Sequence, residues 1–142
     1  MPTPLIDALN VPAITAYELD DRTAPPGLRA LGAVLALHGI SENGGLVGGG
    51  VENLFFSRRL DDVDDAAAGL RWLGLEDVAD LVLRARAEFL RFRPTGREEL
   101  SAADEELWVQ LDEEFFAIAP SERLEAAVAA RLAQIAPELA SP

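Results

Sequence analysis

The chain has 142 residues, 49% of them hydrophobic, and these values predict a folded protein of one compact domain. It has no cysteine, which excludes disulfide bonds, cysteine-based zinc sites and thiol catalysis. The 25 acidic residues outnumber 12 basic ones, and the net charge of −13 argues against binding to nucleic acid or anionic membrane and favours a basic partner.

The elements are predicted in chain order from the helical spacing of apolar residues. In residues 1–24, this spacing indicates two short helical pieces interrupted at Pro12. Pro25 and Pro26 then predict the start of a longer helix, which Asn43 and Gly44 end. We therefore divide the single domain into an N-terminal part, 1–24, and an acidic helical part, 25–142.

Five glycines lie within seven positions, from Gly44 to Gly50, and a short helix is predicted after them. This segment lacks the G-x-G-x-x-G spacing of a dinucleotide site and has no lysine after it, so it predicts a closely packed connection between helices. Its neighbour His38 is the only histidine and lies on an apolar stripe, which favours a structural role.

The next helix is predicted from a cap at Asp61 or Asp62 to a stop at Gly74. Asp61, Asp62, Asp64 and Asp65 resemble part of a calcium loop, but the positions that require glycine and a bidentate acid hold Ala66 and Trp72. No metal site and no cofactor are predicted, and we interpret these acids as a capped first turn.

Three further helices complete the predicted fold. The longest runs from Glu76 to Arg93, the next begins at Ser101 or Asp104, and the last ends near Pro137. No run alternates as a strand would. The sequence thus predicts an all-α protein of six or seven helices.

Negative charge is concentrated late in the chain. Residues 98–142 carry eleven acids and two arginines, whereas residues 58–97 carry eight of each. With Leu111 facing inward, Glu105 and Asp112 fall on one flank of a helix, and Glu106 and Glu113 on the opposite outer face. Helix neighbours three or four residues apart stand about 5–6 Å from one another, a spacing comparable to that of phosphates along a DNA strand. Solubility alone is the alternative explanation.

Three segments resemble a bacterial family of DNA-mimic proteins, otherwise described as a domain of unknown function. They are Glu42–Leu46 (ENGGL), Gly69–Gly74 (GLRWLG) and Leu111–Phe115 (LDEEF), within a similarity that covers roughly residues 30 to 120. The resemblance implies an all-α domain that presents acidic surface in place of DNA to a DNA-binding protein. It also implies a structural role for Glu42, Asn43, Gly44 and Gly45.

We therefore predict a non-enzymatic protein that binds a basic protein surface, with Glu105, Glu106, Asp112 and Glu113 as the main patch. Asp61, Asp62, Asp64 and Asp65 form a second patch. The alternative is an immunity-like or regulatory module that binds through its apolar or glycine-rich surface, its acidity being incidental. An enzyme, the third hypothesis, requires a cleft with perturbed carboxylates such as Glu42 or Glu52.

No apolar run reaches the ~20 residues of a membrane span and no secretion leader is seen, so we expect a cytoplasmic protein.

Overall fold

The computed structural model describes residues 3–140, which are mainly helical and contain no β-strand. Its α-helices are, in chain order, α1 Leu5–Glu18, α2 Pro26–Gly44, α3 Glu52–Phe56, α4 Asp61–Trp72, α5 Glu76–Phe92, α6 Ala102–Ile118, α7 Ser121–Ala130, α8 Leu132–Ile135 and α9 Pro137–Ala140. A π-helical segment, Leu46–Val51, joins α2 to α3. Within residues 3–140, no helix is both long and apolar enough to cross a bilayer.

The predicted all-α class is confirmed. Nine α-helices lie within residues 3–140, and three of them have five residues or fewer, so the predicted six or seven corresponds to the longer ones. Helix α2 begins at Pro26 and ends at Gly44, as its proline and glycine signals predict. The structure does not test the division of the domain at residue 25, which stays a prediction.

The structure corrects two predictions about where helices are interrupted. Helix α1 continues through the exposed Pro12, because the packing of its buried face on α2 outweighs the hydrogen bond that the proline cannot donate. Conversely, the last predicted helix, which ends near Pro137, is broken after Ala130 into α7 and α8, and the short α9 follows it. The predicted cap of α4 also differs, since Leu60 occupies the N-cap and Asp61 is the first helical residue.

Helix α2 forms the centre of the fold and contacts α1, α4, α8 and the π-helical segment. The core extends along it through Leu31, Val34 and Leu37, each at most 3% exposed. A distant carboxylate fixes α1 over this core: Glu125 accepts hydrogen bonds from the N–H groups of Leu5 and Ile6 at 2.8 and 2.9 Å. These are unpaired donors of a helix N-terminus, so α7 caps α1.

The α1–α2 contact requires a glycine at position 32. A Cβ atom on Gly32 would lie 2.1 Å from the carbonyl oxygen of Ala13 and 2.7 Å from Cβ of Tyr17. The two helix backbones therefore approach more closely than any side chain allows. Gly39 on the same helix faces open space, where a Cβ atom would have no other atom within 4 Å.

This contrast makes Gly32 and Gly39 a matched pair. We expect Gly32→Ala to lower the free energy of unfolding by about 1–3 kcal/mol or more, because the two helices must move apart to accept the added methyl group. Gly39→Ala should raise it by about 0.4–1 kcal/mol, since alanine restricts the unfolded chain and favours helix. Urea denaturation monitored by circular dichroism measures both values. Equal effects of the two substitutions would contradict the close approach.

Candidate protein-binding surface

Helix α6 is anchored along one face and exposed along the other. The Ser101 side chain caps it by accepting a hydrogen bond from the N–H of Asp104 at 3.1 Å. Leu111 and Phe115 are buried, at 1% and 2% exposure, and Trp108 packs against Phe89 and Phe92 of α5. Leu107 and Ile118 also pack against the core, so the opposite side of α6 faces away from it.

The glycine-rich segment is helical itself, with a wide π turn, rather than an open connection. Five of its six residues, all except Gly48, are buried. The chain enters it at Gly45, whose φ of 87° favours glycine. A Cβ on Gly48 would lie 3.2 Å from the indole nitrogen of Trp108, so the missing side chains let this segment pack directly against α6.

Asp112 belongs to this packed contact and not to the exposed flank predicted for it. Its Oδ1 accepts a hydrogen bond from the N–H of Val47 at 2.7 Å, and the side chain is half-buried against Gly45. Burial raises the pKa of Asp112, and the hydrogen bond from Val47 acts in the opposite direction. A buried donor at the start of the π turn is thus satisfied by α6, and Asp112 acts as a structural anchor.

Four acids remain on the outer surface of α6: Glu105, Glu106, Glu113 and Glu114, hereafter the α6 acidic face. All four are exposed, and within residues 3–140 none has an ion pair or side-chain hydrogen bond. The predicted patch did not include Glu114, although its exposed position follows from the same helical spacing. Glu106 and Glu113 share one stripe two turns apart, about 10.5 Å along the axis. Because Asp112 is bound internally, the predicted row of acids at 5–6 Å is not formed. The exposed acids are two neighbours in sequence, Glu105 and Glu106, and two more, Glu113 and Glu114, about two turns further along.

The arginines lie outside α6, and most of them pair with acids there. Eight of the twelve form ion pairs with acids, at Arg22, Arg29, Arg59, Arg71, Arg86, Arg91, Arg93 and Arg123. Helix α6 contains six acids and no arginine, and only Asp104 in its first turn is ion-paired, with Arg91 at 3.1 Å. Unpaired acids are therefore concentrated on α6, whereas single exposed acids without an ion pair, such as Asp7 and Glu122, lie on other described helices.

The α4 acids are largely bound within the protein. The Tyr17 hydroxyl lies 2.8 Å from Asp62 and 2.7 Å from Asp65, and Asp64 pairs with Arg86 at 2.9 Å. The pKa of Tyr17 is raised by burial and by these two carboxylates. Among the residues that the structure describes, Asp61 has no ion pair or side-chain hydrogen bond. The second predicted patch is thus not one free surface.

The ENGGL segment closes α2 against the α6–α7 junction. His38 Nε2 lies 2.9 Å from the carbonyl oxygen of Ala119, and its Nδ1 lies 3.4 Å from Glu42. Glu42 also accepts a hydrogen bond from the Ser121 hydroxyl at 3.0 Å, and Asn43 donates to the carbonyl of Gly39 at 3.3 Å. His38 and Glu42 therefore hold helices together. Glu52, the other carboxylate named for a catalytic cleft, pairs with Arg93 at 3.2 Å.

A cavity of about 650 Å³ lies between α1, α2 and α4, lined by groups such as Tyr17, Arg59, Asp62 and Trp72. Its charged groups bind one another: Arg59 contacts both Glu18 and Asp62 at 2.6 Å. No group of three or more acidic or histidine side chains within residues 3–140 is arranged to hold a metal ion. Among the described helices, α6 therefore carries the largest group of exposed acids without an ion pair.

These features define an acidic, all-helical protein with one uncompensated helix face. The sequence model of the family described as "DMP19-like protein" matches residues 22–134. The chain therefore belongs to this family of DNA-mimic proteins. The resemblance seen in the ENGGL, GLRWLG and LDEEF segments is thereby confirmed. Comparisons with curated proteins and with solved structures gave no match.

The Asp112 anchor predicts different effects for two adjacent acids. Asp112→Ala leaves the buried N–H of Val47 without an acceptor, so we expect the free energy of unfolding to fall by about 1–3 kcal/mol. Glu113→Ala, one residue further on the exposed side, should change it by less than about 0.5 kcal/mol. Urea denaturation of both variants measures the difference. If the two substitutions cost the same, the anchor does not contribute as described.

The raised pKa of Asp112 also predicts a pH dependence. The folded protein holds the Asp112 proton more tightly than the unfolded chain, so this group's contribution to stability falls as pH rises from the ordinary value of 3.8 through the raised one. Asp112→Asn keeps an oxygen acceptor but does not titrate. Its stability relative to the starting protein should therefore increase over that pH range, as measured by urea denaturation at each pH. A constant difference would argue against the burial.

Proposed function

We propose that this protein is a non-enzymatic DNA mimic, which competes with DNA for the basic surface of a DNA-binding protein. The observation that carries the proposal is the α6 acidic face: four exposed carboxylates without partners among residues 3–140, on a helix without arginine. The family to which the chain belongs supports the same function. We further propose that the protein acts in the cytoplasm, where it would meet DNA-binding proteins.

The mechanism is electrostatic competition. Arginine and lysine side chains that otherwise contact phosphates would bind the carboxylates of the α6 acidic face and so become unavailable to DNA. Because α6 is fixed by its buried inner face, the helix positions these acids on the surface, and binding would not have to break internal ion pairs. A surface of one sign also accelerates encounter with a surface of the opposite sign.

The geometry makes the imitation partial. The acidic pairs, Glu105–Glu106 and Glu113–Glu114, are separated by eight residues, or about 12 Å along α6. They would therefore engage separate groups of basic side chains instead of following each phosphate of a strand. In this proposal Asp112 has no direct contact with the partner, and the α4 acids, of which Asp61 is the unpaired one, form a secondary contact.

Two triple variants with the same charge change test the proposal. The first neutralises Glu105, Glu106 and Glu113 to glutamine. The second neutralises Asp7, Glu122 and Glu138 to the corresponding amides; these acids are also exposed and have no ion pair within residues 3–140, but lie on other helices. The starting protein is immobilised, DNA-binding proteins captured from a bacterial lysate are identified by mass spectrometry, and one is purified for titration.

We expect the α6 triple variant to bind that DNA-binding protein at least about tenfold more weakly, with little change for the control variant. The affinity should fall steeply between about 50 and 200 mM salt, by analogy with phosphate contacts, and duplex DNA should displace the protein. Equal losses for both triple variants, a complex insensitive to salt, or the capture of no DNA-binding protein would contradict the proposal.

The alternative is a regulatory or immunity-like module whose acidity is incidental. The glycine-rich part of this alternative has little support, because five of the six residues in Leu46–Val51 are buried and offer no surface to a partner. The same α6 triple variant separates the two functions, since an interface indifferent to acidity would survive it.

A further inference from the structure

Two apolar side chains interrupt the α6 acidic face. Val109 and Phe116 are 52% and 49% exposed. The described residues include six exposed large hydrophobic side chains, and these two share a helix, whereas no other two of the six do. They stand seven residues apart, so they fall within about 20° of each other around the helix axis and two turns apart along it. They thus form one stripe, hereafter the α6 apolar stripe.

The stripe runs between the acids. On the same helical geometry, Glu105 lies on one side of Val109 and Phe116, and Glu106 and Glu113 lie on the other. An exposed aromatic ring gains free energy when a partner removes it from water, and such rings are common among the residues that dominate interface energies. Purely electrostatic binding to basic groups has no use for this stripe.

We propose, resting on the function proposed above, that α6 binds a basic amphipathic segment, in which apolar side chains lie between arginine or lysine residues. The apolar side chains would cover Val109 and Phe116, and the flanking cations would meet the carboxylates. This arrangement has the form of a typical interface, with an apolar centre and a charged rim. The charge selects and steers the partner, and the stripe supplies affinity that salt does not screen.

The uncompensated charge argues against a second copy of the chain as the occupant. Two α6 stripes brought together would place the flanking carboxylates of Glu105, Glu106 and Glu113 close to the same three of the other copy, and like charges across an interface oppose binding. A basic segment reverses the sign of this interaction. Charge complementarity therefore identifies the occupant as a basic segment of a different protein.

Two synthetic helical peptides with equal numbers of arginines provide the test. One carries a stripe of leucines between the arginines, and the other carries glutamine at those positions. Their binding to the full chain is measured by fluorescence anisotropy at about 50 and 300 mM NaCl. We expect the leucine peptide to bind at least about tenfold more tightly, with the ratio between the peptides preserved at the higher salt. Equal binding of the two peptides, or no binding of the leucine peptide, would overturn the inference.

Three variants locate the contact. Phe116→Ser and Val109→Thr should each reduce the preference for the leucine peptide severalfold, whereas Leu139→Ser, which alters an equally exposed side chain on α9, should leave it unchanged. Threonine has the same shape and β-branching as valine, so Val109→Thr is not expected to disturb folding. Circular dichroism checks that each variant is folded. Equal effects of Phe116→Ser and Leu139→Ser would overturn the inference, as would a dimer in sedimentation that Phe116→Ser converts to monomer.

The failures of the two proposals are distinguishable. If the α6 triple variant loses both peptides while Phe116→Ser changes nothing, the acidic face acts alone and only the inference about the stripe is wrong. If the α6 triple variant binds both peptides as well as the starting protein does, the electrostatic function proposed above fails as well.

Discussion

The direct packing of the glycine-rich π segment against α6 is the constraint on which the candidate surface depends. Gly48 lies under the indole of Trp108, Gly45 lies against Asp112, and Val47 donates its N–H to the same carboxylate. A side chain at Gly45 would collide with the Asp112 carboxylate, and a side chain at Gly48 would crowd the Trp108 indole. Because the contact fixes which face of α6 is turned inward, it also determines which acids remain outside.

Charge is distributed over this scaffold in two different ways. On α4 and α5, acids pair with nearby arginines, as Asp64 does with Arg86 and Glu88 does with Arg91. Individually, such exposed pairs contribute little to stability, about 0–1 kcal/mol, but they remove net charge from those surfaces. On the α6 acidic face the carboxylates have no such partners within residues 3–140, which makes them the largest group of unpaired acids on one described helix.

Much of the helical arrangement could be predicted from local signals. Pro26 and Gly44 bound α2, Ser101 caps α6, and the apolar spacing places Leu111 and Phe115 inward. Errors arose where distant contacts outweigh local preference. Helix α1 continues through Pro12 because its buried face packs on α2 and because Glu125, more than a hundred residues away, supplies the N-terminal cap.

The candidate site was predictable to a similar extent. The exposure of Glu105, Glu106 and Glu113 follows from the period of the helix once its inner face is known. The loss of Asp112 to the π segment, and of Asp62 and Asp65 to Tyr17, could not be foreseen, because both contacts join segments 45 or more residues apart. Sequence spacing thus locates charges on a helix, whereas tertiary structure decides which of them remain free.

The central claim is that the outer face of α6 occupies the DNA-binding surface of another protein. Mapping of backbone amide shifts by nuclear magnetic resonance, during titration with a captured DNA-binding protein and then with duplex DNA, tests it most directly. We predict shifts concentrated between Glu105 and Phe116 that revert as DNA displaces the partner. Shifts centred on another helix, or shifts that persist at saturating DNA, would contradict it.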